Sequence, residues 1–177
     1  ATGSIQLDGL KVNLLDTPGM FDFAGGMIQG ISAADCVMIT VSGKSGVRVG
    51  TKKAYRAAAG KPRMFVVTKL DDENANFYNV LTDLKSTFGP SVCPVVVPVI
   101  VDRKVDSYIN LIEMKAYRYD ADGKAQEIPM PTSEVSEKLS YRVDGLIQAF
   151  SEAIAETDET LFEKFFSGEE FTQKERV

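Results

Sequence analysis

The sequence predicts an α/β fold in which a mostly parallel sheet is wrapped by helices, with a small α+β subdomain added. Short continuous apolar runs stand at residues 36–41, 64–67 and 95–99, and such runs are typical of strands that helices cover on both faces. Segments of helical length, roughly residues 50–60 and 74–88, alternate with them. Strands and helices that alternate with short connections favour a mainly parallel sheet.

The first element of the chain is predicted to be an antiparallel hairpin. Ile5 and Leu7 alternate with polar residues, and a returning strand follows over residues 10–15. The intervening dipeptide Asp8-Gly9 is one that two-residue hairpin turns prefer. Farther along, the helix predicted near residues 74–88 has an apolar stripe formed by Phe77, Val80, Leu81, Leu84 and Phe88, which indicates one packed face.

The pattern changes beyond residue 100, where the added subdomain is predicted. Residues 105–119 form a hairpin-like pair closed by a turn at 120–124, and a long helix is predicted over about 133–155. Asp158 caps a shorter helix that Gly168 ends, and Thr172 with Glu175 forms a capping box for one more helix. We therefore expect a core domain over residues 1–99 and an insert subdomain over residues 100–177.

Charge separates these two parts of the 177-residue chain. Its net charge is −5, but Lys and Arg number 10 against 8 Asp and Glu through residue 99, and 10 against 17 from residue 100 onward. Nucleic-acid phosphates need clustered Lys and Arg, so independent DNA binding is not expected. The acidic second part suits a partner with a basic face.

Several kinds of chemistry are excluded by composition. The chain has no histidine, the commonest general base and metal ligand. Cys36 and Cys93 lie inside apolar runs, so we expect both to be buried and neither a disulfide nor a zinc site. No apolar stretch approaches the ~20 residues that span a bilayer, and we expect a cytoplasmic protein without membrane contact. Because the chain starts abruptly in a strand pattern, a piece of a longer protein is expected.

The strongest local motif is Asp16-Thr17-Pro18-Gly19, at the end of an apolar strand. In phosphate-binding α/β proteins, a carboxylate at this place holds Mg²⁺ through water, and a glycine N–H approaches a γ-phosphate. An ordinary Pro-Gly turn explains the same residues equally well. Taken alone, the motif leaves both readings open.

A second motif, Thr68-Lys69-Leu70-Asp71, directly follows the apolar run at 64–67. A carboxylate here can accept the N1 and N2 hydrogens of guanine and repels the acceptor N1 of adenine, while the lysine stem lies along the base. Taken by itself, the tripeptide Lys69-Leu70-Asp71 is more simply interpreted as a solvated loop. Since each motif ends a strand, however, we expect both at the same edge of the sheet.

With these motifs in place, the sequence resembles the translational GTPases, and specifically elongation factor G, over nearly its whole length. The first motif with Phe21-Asp22-Phe23 resembles the family's switch II, and the second resembles its guanine-specifying motif. Three later stretches continue the resemblance: residues 75–78, 155–159 and 168–170. Residues 110–117 are similar to the opening of the insert subdomain that elongation factor G carries, so the resemblance implies a P-loop GTPase-like fold with that insert.

The sequence departs from this family in three places. No G-x-x-x-x-G-K-[S/T] loop occurs, and Gly43-Lys44-Ser45 is interpreted as a surface turn because no upstream glycine stands at the required spacing. Met20 occupies the family's histidine position, where a thioether cannot orient a water, so no catalytic residue is assigned. Thr68 replaces the family's asparagine, which leaves guanine selection intact.

The resemblance implies GTP or GDP, Mg²⁺ and the ribosome as ligands and partner of a full-length parent that hydrolyses GTP and acts as a monomer. The nucleotide contacts would be Asp16, Thr17, Pro18, Gly19, Met20, Thr68, Lys69, Leu70 and Asp71, with Asp16 toward the metal. Without a phosphate loop, this chain alone is expected to bind nucleotide weakly or not at all, to hold no cofactor and to be inactive. The alternative function is a non-hydrolysing scaffold or ribosome-docking module.

Overall fold

The computed structural model describes residues 1–102, 104–131 and 143–176. The chain divides into two compact units, unit 1 (Ala1–Thr68) and unit 2 (Lys69–Val177). Each unit has its own sheets and helices, so each is described by itself. The division into a 1–99 core and a 100–177 insert stays a prediction.

Unit 1 begins with the predicted hairpin. Strand β1 (Thr2–Leu7) pairs antiparallel with β2 (Leu10–Leu15), and Leu7 stands opposite Leu10. The turn between them has φ +49° at Asp8 and +80° at Gly9. Two positive φ values are what the primed hairpin turn requires, and they match the right-handed twist of the strands. The Asp8-Gly9 prediction is therefore confirmed.

The rest of unit 1 is a strand–helix–strand unit preceded by a helix. A 3₁₀ turn at Phe21–Phe23 leads into helix α1 (Ala24–Ala33). Strand β3 (Val37–Ser42), helix α2 (Val49–Ala57) and strand β4 (Arg63–Thr68) follow, and β3 pairs with β4 in parallel. These strands correspond to the first two apolar runs, as predicted. Helix α2 connects them, since a parallel pair needs a crossover between its members.

The described part of unit 2 holds three helices and a four-stranded sheet. Helix α3 (Phe77–Phe88) buries four of the five predicted stripe residues, Phe77, Val80, Leu81 and Leu84, while Phe88 is half-buried. The sheet is antiparallel and runs in the order β5, β6, β7, β8. Its strands are β5 (Val96–Val101), β6 (Lys104–Asn110), β7 (Lys115–Tyr119) and β8 (Ala125–Ile128), followed by helices α4 (Val143–Ala155) and α5 (Glu159–Ser167).

The prediction of a mostly parallel sheet is not confirmed, because among the described strand pairs only β3 with β4 is parallel. The third apolar run became β5, which pairs antiparallel with β6 and places Val97 opposite Ile109. A continuous apolar run predicts a buried strand, but it carries no information about the direction of the neighbouring strand. Burial of both faces is also not observed, because Met38, Met64 and Val96 of the three runs are exposed.

The expectation of two buried cysteines is wrong. Cys36 is exposed and Cys93 is half-buried. Cys36 stands one residue before β3 starts at Val37, outside the covered part of the strand. Partial burial raises the pKa of the Cys93 thiol above its usual value, which makes this side chain less reactive.

The end of unit 2 follows its predicted capping residues at α5, whereas residues 173–176 form a turn and not the helix predicted after Thr172. Asp158 accepts a hydrogen bond of 2.8 Å from the Thr160 backbone N–H at the start of α5, and Gly168 ends the helix with φ +76°. The Glu175 carboxylate accepts from the Thr172 backbone N–H at 2.6 Å, which closes a turn there. The predicted start of the long helix near residue 133 lies outside the described residues, which resume in α4 at Val143.

Candidate functional site

The segment Asp16–Gly19 leaves the end of β2 at the surface. The Asp16 backbone N–H donates to the Ala1 carbonyl at 2.8 Å, so the hairpin ladder still fixes this residue. Its carboxylate is exposed, and no hydrogen bond or ion pair within residues 1–102, 104–131 and 143–176 uses it. Thr17 is half-buried, whereas Pro18 and Gly19 are exposed. The backbone of Asp16 is thus held in place while its side chain and the Gly19 N–H remain accessible.

Helix α1 packs against the Asp16–Gly19 segment. Gly30 packs so closely on Thr17 that a β-carbon at position 30 would overlap the Thr17 γ-methyl group and lie 3.8 Å from its Cβ. One turn earlier in α1, a β-carbon at Gly26 would lie 3.8 Å from Pro18 Cδ, an ordinary van der Waals distance. Among the glycines of α1, Gly30 therefore lies closest to the loop.

The same segment forms one wall of a cavity of about 300 Å³ within unit 1. The other walls come from α1, from β3 and from the start of α2, and Arg48 and Lys53 contribute basic side chains. The Lys53 ammonium lies 4.6 Å from the centre of the Phe21 ring, within the range of a cation–π interaction. This contact ties α2 to the 3₁₀ turn that follows Gly19.

The end of β4 places Thr68 next to the end of β3. Thr68 stands opposite Ser42 in the parallel register, and its carbonyl accepts from the Gly43 N–H at 2.7 Å. Ser42 also lines the cavity that Thr17, Pro18 and Gly19 border. Within unit 1, Thr68 therefore adjoins the carboxyl end of β3, and the first motif shares with β3 a cavity that runs along the whole strand. That the complete motifs share one edge of a sheet stays a prediction.

The remaining residues of the second motif form a tight local turn in unit 2. Lys69 has φ +57°, a left-handed conformation that costs a residue with a side chain about 1–2 kcal/mol. Such strained positions cluster at binding sites, where neighbouring structure holds them in place. The turn redirects the chain immediately after the strand, which leaves Lys69 and Asp71 exposed and Leu70 half-buried.

The two adjacent carboxylates at 71 and 72 have different surroundings. Asp72 accepts a 2.9 Å hydrogen bond from the Asn74 backbone N–H, and its carbonyl accepts from the Ala75 N–H at 2.9 Å. The Asp71 carboxylate is exposed and takes part in no hydrogen bond or ion pair of the described ranges. Asp71 is therefore the acceptor that remains open to a ligand, in agreement with its place in the motif.

Two of the departures from the family pattern have a structural counterpart. Gly43, Lys44 and Ser45 lie in a turn after β3, where the Gly46 N–H donates to the Ser42 carbonyl at 2.9 Å; Lys44 and Ser45 are exposed, so the surface-turn interpretation is confirmed. Met20 is 66% exposed. A thioether at this position offers only a weak acceptor and no proton to exchange.

The residues present fit a Mg²⁺ ion of the kind that a bound nucleotide brings. In the part of the chain that the structure describes, no group of three or more metal-ligating side chains occurs. Mg²⁺ typically keeps several waters and takes one or two carboxylates plus phosphate oxygens. The exposed carboxylate of Asp16 would supply one such ligand, and phosphate and water oxygens would supply the others.

Sequence reasoning missed Lys53 as a neighbour of Phe21 and missed the contact of Gly30 with Thr17. Lys53 belongs to an ordinary Lys-Lys pair, and Gly30 stands in a glycine-rich segment whose sequence fits compliant backbone and a helix start equally well. Both contacts join residues far apart in sequence, and no periodicity marks them. The segment Ala24–Ala33 is helical in the structure, as the helix-start reading of its glycines expects.

Comparison with known proteins defines the class of this fold and site. Residues 1–168 match the family described as the elongation factor Tu GTP binding domain. The chain belongs to this family, and it is a section of the GTP-binding domain of a translational GTPase.

Individual relatives narrow the class to proteins like elongation factor G. The chain is 36% identical over 171 residues to the elongation factor G-like protein of Mycobacterium tuberculosis, with 96% of this chain and 23% of the relative covered. It is 35% identical over 169 residues to the elongation factor G-like protein of Thermotoga maritima, with 94% of this chain and 23% of the relative covered. The chain therefore spans about a quarter of the length of these curated relatives.

A solved structure agrees with this assignment. A crystal structure of a protein from Thermus thermophilus superposes with a TM-score of 0.83 at 40% identity, over 99% of this chain and 26% of that one. The agreement supports the GTPase fold. Separately, no helix within the described residues combines the length and apolar character needed to span a membrane.

Proposed function

We propose that this chain is the nucleotide-responsive section of an elongation factor G-like GTPase that binds and hydrolyses GTP to act on the ribosome in the cytoplasm. The observation that carries the proposal is the exposed, backbone-anchored Asp16–Gly19 segment in a chain that belongs to a GTP-binding family. A surface loop with an accessible carboxylate and glycine N–H has the groups that recognise a metal-bound phosphate.

Each motif receives a separate role in this proposal. Asp16 reaches the hydrated Mg²⁺, Thr17 and Pro18 hold the loop, and Gly19 detects the γ-phosphate through its N–H. Thr68, Lys69 and Leu70 form the strand end and turn that present Asp71 to guanine. Met20 takes no proton, so water activation is assigned to a group other than this side chain.

The segment from Asp16 to about Gly30 is the proposed switch. A γ-phosphate adds charge and acceptor oxygens that only GTP provides, and a loop that contacts them takes a different position after hydrolysis. The α1 helix transmits that difference because Thr17 is in direct contact with Gly30.

The experiment is a titration of guanine nucleotide against this chain and against the longest natural protein that contains it. Tight binding of GTP and GDP by the longer protein, with weak or no binding by residues 1–177, is expected because a phosphate-cradling loop supplies most of the affinity. An Asp16→Asn variant of the longer protein should lose Mg²⁺-dependent affinity. Absence of binding by both proteins would refute the proposal.

The second candidate function, a docking module for a basic protein, is favoured by a cleft in unit 2. The cleft, of about 240 Å³, lies on the four-stranded sheet and is lined by Val96, Tyr108, Asn110, Glu113, Tyr117, Tyr119 and Ala125. The Tyr117 hydroxyl donates to Glu113 Oε2 at 2.5 Å, and the Tyr108 and Tyr119 rings meet edge to face at 5.8 Å. Aromatic rings beside a carboxylate suit a lysine or arginine side chain.

This candidate is separated from the first by nucleotide dependence. Association of residues 1–177 with ribosomes is expected to fall in a Glu113→Gln variant, and to stay unchanged in Glu163→Gln, which removes the same charge from the exposed face of α5. The effect should be the same with and without GTP. Equal losses in both variants would indicate nonspecific charge attraction rather than a site.

A further inference from the structure

We infer that Gly30 is a positioning residue for the candidate switch, because its missing side chain makes room for the Thr17 γ-methyl group. The inference rests on the proposed function and assigns a role to a residue outside both motifs. A β-carbon at position 30 would overlap the Thr17 γ-methyl. Real β-carbons do not approach other atoms so closely, so a side chain here must displace the loop, the helix or the Thr17 side chain.

The Thr17 methyl has little room to yield. Threonine is branched at Cβ, so its χ1 is restricted, and Thr17 is half-buried against α1. Rotation of χ1 would turn the hydroxyl or the β-hydrogen toward position 30 and would leave the present rotamer, whereas Cβ itself would lie at an ordinary van der Waals distance of 3.8 Å from the new atom. On this proposal the backbone of Thr17 and its neighbours Pro18 and Gly19 shifts together with the side chain.

The displaced residues include the proposed phosphate sensor. Gly19 stands two residues after Thr17, and the backbone between them contains Pro18, whose ring fixes φ and limits local adjustment. A shift of Thr17 is therefore transmitted to the Gly19 N–H rather than absorbed. A displacement of about 1 Å is enough to weaken binding by a catalytic or ligand-binding group. The contact between Gly30 and Thr17 therefore sets the position of the Gly19 N–H.

Gly25 provides the matched control. It lies in the same helix, and a β-carbon there would have nothing within 4 Å. Both Gly25→Ala and Gly30→Ala increase intrinsic helix propensity by a similar amount. Any difference between the two variants therefore reports the space around the new methyl group and not the flexibility of glycine.

The first experiment measures the contact in residues 1–177 without nucleotide. Nuclear Overhauser effects between the Thr17 γ-methyl and the Gly30 α-protons are expected in the unmodified chain, and their absence overturns the inference. Gly30→Ala should shift the amide resonances of Thr17 and Gly19 and lower the folding equilibrium constant about tenfold, the typical cost of an overpacked contact. Gly25→Ala should leave those resonances in place.

Rescue distinguishes a steric fit from other causes. Thr17→Ser removes only the γ-methyl and keeps the hydroxyl. In a Thr17→Ser background, Gly30→Ala should produce no more change at Gly19 than Gly25→Ala does. An undiminished effect of Gly30→Ala in that background overturns the inference, as does an equal effect of the two glycine substitutions in the unmodified chain.

The second experiment measures function in the longest natural protein that contains this sequence. Since only GTP has the γ-phosphate that Gly19 contacts, Gly30→Ala should lower the ratio of GTP to GDP affinity about tenfold, the value of one hydrogen bond to a charged group. The ratio should recover in the Thr17→Ser background. A shifted Gly19 resonance with an unchanged ratio overturns the positioning role.

If the proposed function is wrong, the two experiments give a different combination of results. An unmodified protein that binds neither GTP nor GDP refutes the nucleotide role of the whole segment, and the positioning role with it. The resonance shifts and their rescue would then identify Gly30 and Thr17 as a packing pair only. The two experiments therefore separate the steric claim from the functional one.

Discussion

Unit 1 and unit 2 differ in charge and in how much apolar surface they bury. Unit 1 carries eight Lys and Arg against four Asp and Glu, whereas unit 2 carries twelve against twenty-one. Of the buried apolar residues in the described part of the chain, four lie in unit 1 and fifteen in unit 2. Unit 1 instead exposes twelve of the eighteen large apolar side chains that face solvent there.

This difference indicates that the two units differ in stability and in the charge of the ligands that suit them. Buried apolar area is the main source of folding free energy, so unit 2 has the larger reserve of stability. Unit 1 places its less protected structure around the Asp16–Gly30 segment, and elements that move are drawn from regions of low local stability. The charge difference, +4 against −9 from the same counts, agrees with the proposal of an anionic ligand for unit 1 and a basic partner for unit 2.

The largest effect is expected from paired leucine truncations in the two units. Leu84 of α3 is 2% exposed, whereas Leu14 of β2 is 45% exposed. Leu84→Ala should lower the free energy of unfolding of unit 2 by roughly 2–5 kcal/mol through cavity formation. Leu14→Ala should cost unit 1 less than about 1.5 kcal/mol, because much of that side chain already contacts water.

Urea unfolding followed by residue-resolved NMR measures both changes, each in the unit that carries the substitution. Similar losses from the two truncations would show that unit 1 is as well packed as unit 2, and would remove the stability side of the comparison.

The nucleotide side of the comparison is tested by Asp71→Asn in the longest natural protein that contains this sequence. The substitution exchanges one of two acceptor oxygens for a donor, so guanine loses a charge-assisted pair while xanthine, with an acceptor at position 2, gains a match. GDP affinity should fall about 100-fold and XDP affinity should rise, as measured by calorimetry.

Asp72→Asn is the control for this exchange, because the Asp72 carboxylate accepts from the Asn74 N–H inside its own turn. That variant should keep the preference for guanine. If it changes base preference instead of Asp71→Asn, the roles of the two carboxylates are reversed.

A pH effect is expected at the end of unit 2. Hydrogen bonds from Lys164, and from the backbone and side chain of Thr172, lower the pKa of Glu175 from 4.5 to about 2. A depressed pKa contributes stability that is present above the unfolded value and is lost as pH falls through the folded value. The turn at Thr172 should therefore open between about pH 4.5 and pH 2.

The Lys164 Nζ and Thr172 amide resonances report this opening directly. Glu175→Gln should remove the acid transition from both signals, and Glu163→Gln should leave it unchanged. A transition that persists in the Glu175 variant would assign the effect to a different carboxyl group.

The smallest effect is expected at the cation–π contact of unit 1. Lys53→Met keeps the long stem and removes the ammonium above the Phe21 ring, which should cost about 0.5–1 kcal/mol. The neighbouring Lys52→Met makes the same chemical change without that ring contact and should be neutral. Thermal unfolding of unit 1 compares them, and indistinguishable variants would contradict a role for Lys53 in holding the 3₁₀ turn.

Local rules account for the features that were predicted from the sequence. Asp8-Gly9, Asp158 and Gly168 each fix a turn or a helix end through their own backbone preference, and the α3 stripe follows from helical periodicity. The direction of β5 was not predictable, because its apolar residues specify burial and not a partner strand. The choice of β6 depends on a pairing between separate segments.

The candidate site shows the same limit. Asp16, Gly19 and Asp71 were identified because short motifs at strand ends carry recognisable chemistry. Gly30 and Lys53 were not, because their importance comes from contacts with Thr17 and Phe21 that only the folded chain brings together. The distinction between Asp71 and Asp72 likewise required the hydrogen bond to Asn74.

The most direct test of the account is hydrogen–deuterium exchange of the longest natural protein that contains this sequence, compared with GTP·Mg²⁺, with GDP and without nucleotide. The account predicts that GTP slows exchange of the amides of residues 16–30 relative to GDP, while the sheet of unit 2 keeps the same rates in both. Bound GTP that leaves residues 16–30 exchanging as they do with GDP would contradict it.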